Sequence, residues 1–259
     1  MSRDDGYVTA DYLRKAAERI RAVKEKSYAQ MRIQPGHTLL DTGCGPGMDS
    51  VPLARHVGSN GRVYALDNDA TMLEQARQHA VNAGVSERIT HLHGSALAIP
   101  LADGCVDACR AERLLQVLPA DVERGVVEEL VRVTRPGGRI VIVDTDWGSA
   151  SVDFSDAALE RTLMQFFARH MRPNGFAGRR TPALLQRHPV GDLQIEQLPL
   201  LHQRLEDTPF GDWLLDAAVA ERCITPSQAA AWRDELSRRE ADGNFYASVN
   251  MVITAATRS

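Results

Sequence analysis

Three glycines at alternate positions, Gly43, Gly45 and Gly47, follow Leu39-Leu40-Asp41 and precede a helical segment, Asp49 to Val57. A strand that turns into a helix through glycines lets a ligand approach the backbone closely. One strand later, Asp67 ends the run Arg62-Val63-Tyr64-Ala65-Leu66. That places a carboxylate beside the turn, where it can accept both hydroxyl hydrogens of a ribose. A dinucleotide needs a helix N-terminus open to its pyrophosphate. Asp49 at the helix start adds a negative charge there and repels phosphate. No Lys-Ser/Thr pair follows the turn to hold a nucleoside triphosphate. The pattern therefore suits a nucleoside without phosphates. Pro46 is expected to push Gly45 toward extended conformations, so Gly45 is read as needed for close ligand approach rather than for a positive φ.

The elements that position these residues follow from periodicity. Asp11 to Gln30 carries Leu13, Ala16, Ala17, Ile20 and Val23 at helical spacing, and Pro35-Gly36 breaks it. His37 to Asp41, Arg62 to Asp67, Arg88 to His93, Val106 to Arg110 and Arg139 to Asp144 read as short buried strands. Helices over 49–57, 70–83 and 120–134 alternate with them, Asp69 serving as an N-cap and Gly84 as a stop. This alternation means βαβ units and a parallel sheet. Beyond it, Ser155 to Met171 reads as a long helix. Arg169 to Arg180 reads as a loop bordering a pocket. Gly191 to Arg204 reads as a strand, Asp207 to Asp242 as helix-rich, and Phe245 to Ala256 as the last strand.

The chain has 259 residues, 44% hydrophobic and 25% charged, which excludes a disordered chain. Its net charge of −4 lowers a nucleic-acid role, since such proteins present basic faces. Arg179-Arg180 and Arg238-Arg239 are only short basic pairs. Cys44, Cys105, Cys109 and Cys223 form no CxxC pair, so they are expected to be reduced thiols. No HExxH or clustered carboxylate–histidine metal signature occurs. Residues 1–6 have no apolar signal core, and no run approaches the ~18 residues of a transmembrane helix. A soluble, cytoplasmic protein is expected.

Four motifs now stand in order: Asp41-Thr42-Gly43-Cys44-Gly45-Pro46-Gly47 with Asp67 downstream, His93 to Pro100, Val106 to Gln116, and Arg135-Pro136-Gly137-Gly138. Over roughly residues 31–146 the chain resembles the class I S-adenosylmethionine-dependent methyltransferases. The resemblance implies an α/β, Rossmann-like fold, with a seven-stranded, mostly parallel sheet and helices on both faces. It implies an N-terminal helical lid (1–36), a cofactor-binding core (37–150), and a remainder (151–259) with a helical, acceptor-binding cap before the last strand. It also implies S-adenosyl-L-methionine as cofactor and no metal. By the family pattern, Gly43 and Gly45 line the methionine part, with Asp41 anchoring the turn. Asp67 binds the ribose, and Asn68 and Met72 flank the adenine. Gly94, Ser95 and Ala96 meet the adenine edge, with serine where relatives usually have aspartate. Ala111 offers its carbonyl to the ammonium group. Gln116 and Val117 stand where relatives often have Gln-His. Tyr7, Tyr12 and Tyr28 belong to the lid, with Tyr28 the favoured cofactor contact. Arg32 is a candidate partner for the cofactor carboxylate.

Methyl transfer from a sulfonium is an in-line displacement that needs alignment and exclusion of water. Asp146, just past the fifth strand, is the candidate acceptor-binding or general-base residue, and Trp147 could stack on a planar acceptor. His170 is the first catalytic histidine candidate and His202 the second. The apolar residues Phe210, Trp213, Leu214, Leu215 and Val219 suit a cap over an acceptor pocket or a dimer interface. The expected function is methylation of a small organic molecule, such as a secondary metabolite, on N, O or C, by a monomer or homodimer with no nucleic-acid or membrane partner. The alternatives are a protein or nucleic-acid methyltransferase, or the same fold catalysing a rearrangement with bound cofactor. Ala111 to Leu114 carries no N-P-P-Y or D-P-P-Y segment of the nucleic-acid enzymes.

Overall fold

The computed structural model describes residues 20–259. The expected positions Tyr7 and Tyr12, and the first part of the helix read from Asp11, lie outside the described residues. What is described of that helix is α1, Arg21–Gln30. It is followed by β1 (Thr38–Thr42), α2 (Ser50–His56), β2 (Arg62–Asp67), α3 (Ala70–Asn82), β3 (Ile89–His93), β4 (Val106–Glu112) and α4 (Glu123–Val133). Then come β5 (Thr134–Val152), α5 (Ala157–His170), α6 (Ala177–Leu185), β6 (Val190–His202), α7 (Asp212–Ala220), α8 (Pro226–Ala241) and β7 (Ala247–Arg258).

The strands form one seven-stranded sheet in the order β3-β2-β1-β4-β5-β7-β6. The first five pair in parallel, and β7 is antiparallel to both β5 and β6. The carboxyl ends of β1, β2 and β4 therefore meet at one edge, where the strand order reverses and open α/β folds bind ligands.

Strands buried on both faces explain the continuous apolar runs. On β4, Ala108 packs into the core on the α1 and α2 side, while Cys109 and Ala111 pack into the opposite core with α4. In α4, Val126, Val127, Leu130 and Val133 are fully buried, each contributing about 1.5–3 kcal/mol of apolar burial. A third cluster joins α5, α7 and α8 to the far end of β5 through Phe167, Phe210, Leu214, Leu215 and Trp232. The apolar residues expected to form a cap or a dimer interface are thus mostly absorbed within the chain; of Phe210, Trp213, Leu214, Leu215 and Val219, Trp213 alone stays half exposed. The capping box of Thr225 and Gln228 with Pro226 at the first turn starts α8.

Two readings need correction. Arg135 to Gly138 lies within β5, but the β4–β5 register steps from Val106↔Thr134 to Ala108↔Arg139, so this segment is looped out as a bulge. Residues 177–185, read partly as a loop, form α6. The glycines and arginines of its first turn concealed an apolar face of Ala177, Thr181, Leu184 and Leu185. All four cysteines are free, as expected. No helix among the described residues is long and apolar enough to cross a membrane.

Candidate cofactor and acceptor site

Asp41 sits at the end of β1, buried, and accepts a hydrogen bond from Ser50 Oγ at 2.6 Å. This ties the strand to the start of α2 across the glycine turn. Burial, then the neighbouring charge of Asp49, pushes the Asp41 carboxyl up to about 7. Gly43, Gly45 and Gly47 have φ of +70°, +52° and +77°. The expectation of an extended Gly45 is overturned. The hydrogen bonds of the turn override the bias from Pro46, because Gly43 and Cys44 N–H both donate to Leu66 O (2.8 and 3.0 Å) and Gly45 N–H donates to Asp67 Oδ2 at 2.8 Å. Glycine at 45 therefore serves the left-handed backbone itself.

Asp67 lies half-buried at the end of β2 and also accepts from Asp69 N–H through Oδ1 (2.9 Å). Each oxygen keeps a further lone pair. Asp69 caps α3 as expected, accepting from Thr71 and Met72 N–H. Residue pairing sets Asp67 beside His93, and Gly94 N–H donates to Asp67 O at 3.0 Å. Asn68, Met72, Gly94, Ser95 and Ala96 are thereby gathered at the ends of β2 and β3. The Ser95 hydroxyl accepts from Leu97 N–H at 3.1 Å and so shapes its own turn.

Ala111 is paired with Thr42 on one side and Ile142 on the other, at the end of β4. After it the chain turns sharply: Arg113 has φ +51° and its N–H donates to Val143 O at 2.8 Å. Asp144, fully buried on β5, accepts from Leu115, Gln116 and Thr145 N–H. Burial pushes its carboxyl up to about 7 despite those three donors. Gln116 is buried; its Oε1 accepts from Trp147 Nε1 at 2.7 Å and its backbone O from Asn174 N–H at 3.2 Å. Trp147 thus braces this loop, packing edge-on against Phe167.

Beneath the turn lies a buried charge cluster that the sequence reading missed. Lys24 Nζ donates to Asp49 Oδ2 (2.5 Å) and to both oxygens of Glu112 (2.8 and 3.0 Å). Arg110, fully buried, pairs with Glu112, lies 3.2 Å from Asp49 Oδ1, and donates from Nε to Ser27 Oγ. The Tyr28 hydroxyl donates to Asp49, and its ring lies 5.2 Å below the Arg110 guanidinium. Burial opposes ionisation of Asp49 and Glu112, but Arg110 and Lys24 hold both carboxyls below their ordinary range. Burial and Asp49 push the Tyr28 phenol well up. Two readings change here. The Asp49 charge is compensated within the protein, so it is not a free negative charge at the helix start. The Tyr28 hydroxyl is engaged with Asp49. The available signals were the Arg110 and Glu112 charges two apart in a buried strand, on one face, and Lys24 and Tyr28 one helical turn apart.

The remaining candidates are scattered. Asp146 is buried just beyond Asp144, and Arg179 Nε donates to its Oδ1 at 2.7 Å. His170 is exposed at the end of α5, its ring stacked 4.9 Å from Phe166. His202 ends β6 and lines a cavity of about 410 Å³ with Leu201 and Tyr246. Arg32 is overturned as a carboxylate partner: it pairs with Asp192 at the start of β6, beside Arg139 at the opposite edge of the sheet. No carboxyl-edge residue engages it among the described residues.

Comparison with known proteins is consistent with this geometry. Residues 39–138 match the family model described as a methyltransferase domain. An uncharacterised 37.1 kDa protein in transposon TN4556 of Streptomyces fradiae is 30% identical over 243 residues, covering 91% of this chain and 67% of that protein. Demethylmenaquinone methyltransferase of Desulfitobacterium hafniense is 33% identical over 121 residues, 47% of each chain, so the match spans about half of that relative. Geranyl diphosphate C-methyltransferase from Streptomyces coelicolor, solved with S-adenosyl-L-homocysteine, shares the fold at a TM-score of 0.57 and 18% identity, covering 92% of this chain and 79% of that one. With the strand order, the glycine turn and Asp67 at the reversal point, these matches show that residues 39–138 form a methyltransferase domain and that the chain has the class I, S-adenosylmethionine-dependent methyltransferase fold.

Proposed function

We propose that the protein transfers a methyl group from S-adenosyl-L-methionine to a small organic molecule, on N, O or C. The observation that carries this reading is the Asp67 carboxylate bonded to Gly45 N–H across a turn of left-handed glycines. It leaves acceptor capacity for ribose hydroxyls at the edge where β1, β2 and β4 end. Gly43, Gly45 and Ala111 would hold the methionine part, with Asp41 fixing the turn. Asn68, Met72, Gly94, Ser95 and Ala96 would hold the adenine. Gln116 would close the site through the braced loop. Tyr28 would act through Asp49, as a positioning residue.

When bound, the cofactor supplies a methyl already activated on sulfur. The chain's task is to align the acceptor and exclude water. Asp146, which lies within β5 where its pairing with β7 shifts rather than just past the strand, is the candidate to orient the acceptor or take its proton, with His170 second. The cap of α7 and α8 is the candidate acceptor cover. The small-molecule reading is supported by named relatives that act on a quinone precursor and an isoprenoid diphosphate. Methyl-labelled cofactor incubated with fractionated small-molecule and macromolecular extracts tests it. The expected outcome is label in a small organic product with stoichiometric S-adenosylhomocysteine. Label confined to protein or nucleic acid would overturn the small-molecule reading.

A further inference from the structure

Three arginines gather around Phe176 between α5 and α6. Arg169, Arg179 and Arg180 all place their guanidinium carbons 5.3–5.7 Å from the Phe176 ring centre. No two of the three can therefore lie further apart than twice that distance. Arg172 lies 4.8 Å over Trp147 and 5.0 Å over Phe167. Around Phe176, the described acids offset only part of the charge of Arg169, Arg179 and Arg180. Asp146 pairs with Arg179, and buried Glu123 accepts from Asn174 Nδ2. Arg180 donates to the neutral Asn174 Oδ1, and neither Arg169 nor Arg180 has a carboxylate within ion-pair distance among the described residues. Arg169, in the last turn of α5, complements that helix end. Arg179 and Arg180 sit in the first turn of α6, where the helix end is already positive. Cations there oppose the helix dipole, and only Arg179 is offset by an acid, Asp146.

The cluster is held against the reaction edge of the sheet. A Cβ on Gly178 would stand 2.7 Å from Asp144 O and 2.9 Å from Asp146 N, so only glycine lets α6 begin directly on β5. Trp147 N–H donates to Gly175 O at 2.8 Å, and Asn174 N–H reaches the Gln116 loop. The arginines thus border residues 144–147 of β5 and the loop after β4, beside the bed assigned to the cofactor.

We propose that Arg169, Arg179 and Arg180 form an oxyanion-binding subsite for the methyl acceptor, which carries a phosphate or carboxylate group. This rests on the methyltransferase reading and narrows its substrate class. Planar guanidiniums bind such groups through paired, charge-assisted hydrogen bonds. Phe176 supplies the ring against which the guanidiniums are held. The acceptor's anionic end would dock here and its nucleophile would point back toward the end of β4.

The test uses the full chain saturated with S-adenosylhomocysteine. Inorganic phosphate and benzoate are titrated separately by calorimetry at constant ionic strength, with sodium chloride as control. Saturable one-to-one binding of either probe is expected, and which one binds identifies the anionic group. In Arg169→Gln/Arg180→Gln, both exposed positions, that affinity should fall at least about tenfold, the effect of losing a hydrogen bond between charged groups. The affinity for S-adenosylhomocysteine should stay unchanged. Absence of saturable binding by either probe, or equal binding by the double variant, would overturn the subsite. Failure of the protein to bind S-adenosylhomocysteine would instead refute the underlying methyltransferase reading.

Discussion

Lys24→Met removes one cation from a buried cluster while keeping the length of its apolar stem. Lys24 and Asp49 side chains are 9% and 12% exposed, and Glu112 5%. Before the substitution, Lys24 and Arg110 face Asp49 and Glu112, and the partly exposed Arg113 lies 3.5 Å from Glu112. Afterwards Asp49 keeps Arg110 as its cation, Glu112 keeps Arg110 and Arg113, and three hydrogen bonds from Nζ are gone. Breaking a buried pair in this way costs about 3–5 kcal/mol. Equilibrium urea unfolding at pH 7 measures the loss. The sign of its pH dependence follows from linkage. Glu112 and Asp49 are held low in the native protein, so they contribute stability above their unfolded pKa and lose it as pH falls through the native one. Without Lys24 their native values rise, and the deficit of the variant narrows as pH drops from 7 toward 5. Adding Glu112→Gln removes a carboxylate that Lys24 paired, so the double variant should be more stable than the sum of the two singles predicts. A single-variant loss below about 1 kcal/mol, or strict additivity, would refute a cluster balanced by Lys24.

Gly45→Ala forces a Cβ into a left-handed residue and should cost about 1–2 kcal/mol, read as a lower melting temperature of the cofactor-free protein; an unchanged melt would contradict the assigned backbone. Asp41 is held near 7 by burial, so its ionisation weakens the fold as pH rises from about 4 through 7; Asp41→Asn should gain stability relative to wild type between pH 5.5 and pH 8, on the order of a few kcal/mol, and a constant difference across that range would be the contrary result. Asp144→Ala removes the acceptor for Leu115 and Gln116 N–H; hydrogen exchange at both amides should accelerate about tenfold or more, whereas unchanged protection would place the control of that loop elsewhere.

The sheet was legible because its signals were local. Val63, Ala65 and Leu66 in β2 and Ile140 to Val143 in β5 are continuous apolar runs between turns, and doubly covered strands need no other mark. The glycine turn and Asp67 were legible because spacing along one βαβ unit fixes their meeting. The charge cluster was not, since Lys24, Asp49, Arg110 and Glu112 meet only once α1 docks across β4. Arg110 and Glu112 share a strand face and Lys24 and Tyr28 a helix face, but nothing in a single sequence brings these two pairs and Asp49 together. Gly45 was misread because the local bias from Pro46 was outweighed by hydrogen bonds to Leu66 and Asp67, one strand away. α6 was hidden because its first turn carries Gly178, Arg179 and Arg180, a poor helix start, and it contains Pro182; packing on β5 and β7 makes it helical.

Calorimetric titration of S-adenosylhomocysteine into wild type and Asp67→Ala tests the central claim most directly. The account predicts one-to-one binding by wild type. It predicts affinity weaker by about 1.5–3 kcal/mol in a folded variant, the range for hydrogen bonds to a charged group. Asp67 also anchors Gly45 and Asp69 N–H, so the melting temperature of the variant must be measured alongside to separate lost contacts from a loosened turn. A wild-type protein that fails to bind, or a folded variant that binds as tightly as wild type, would contradict the account.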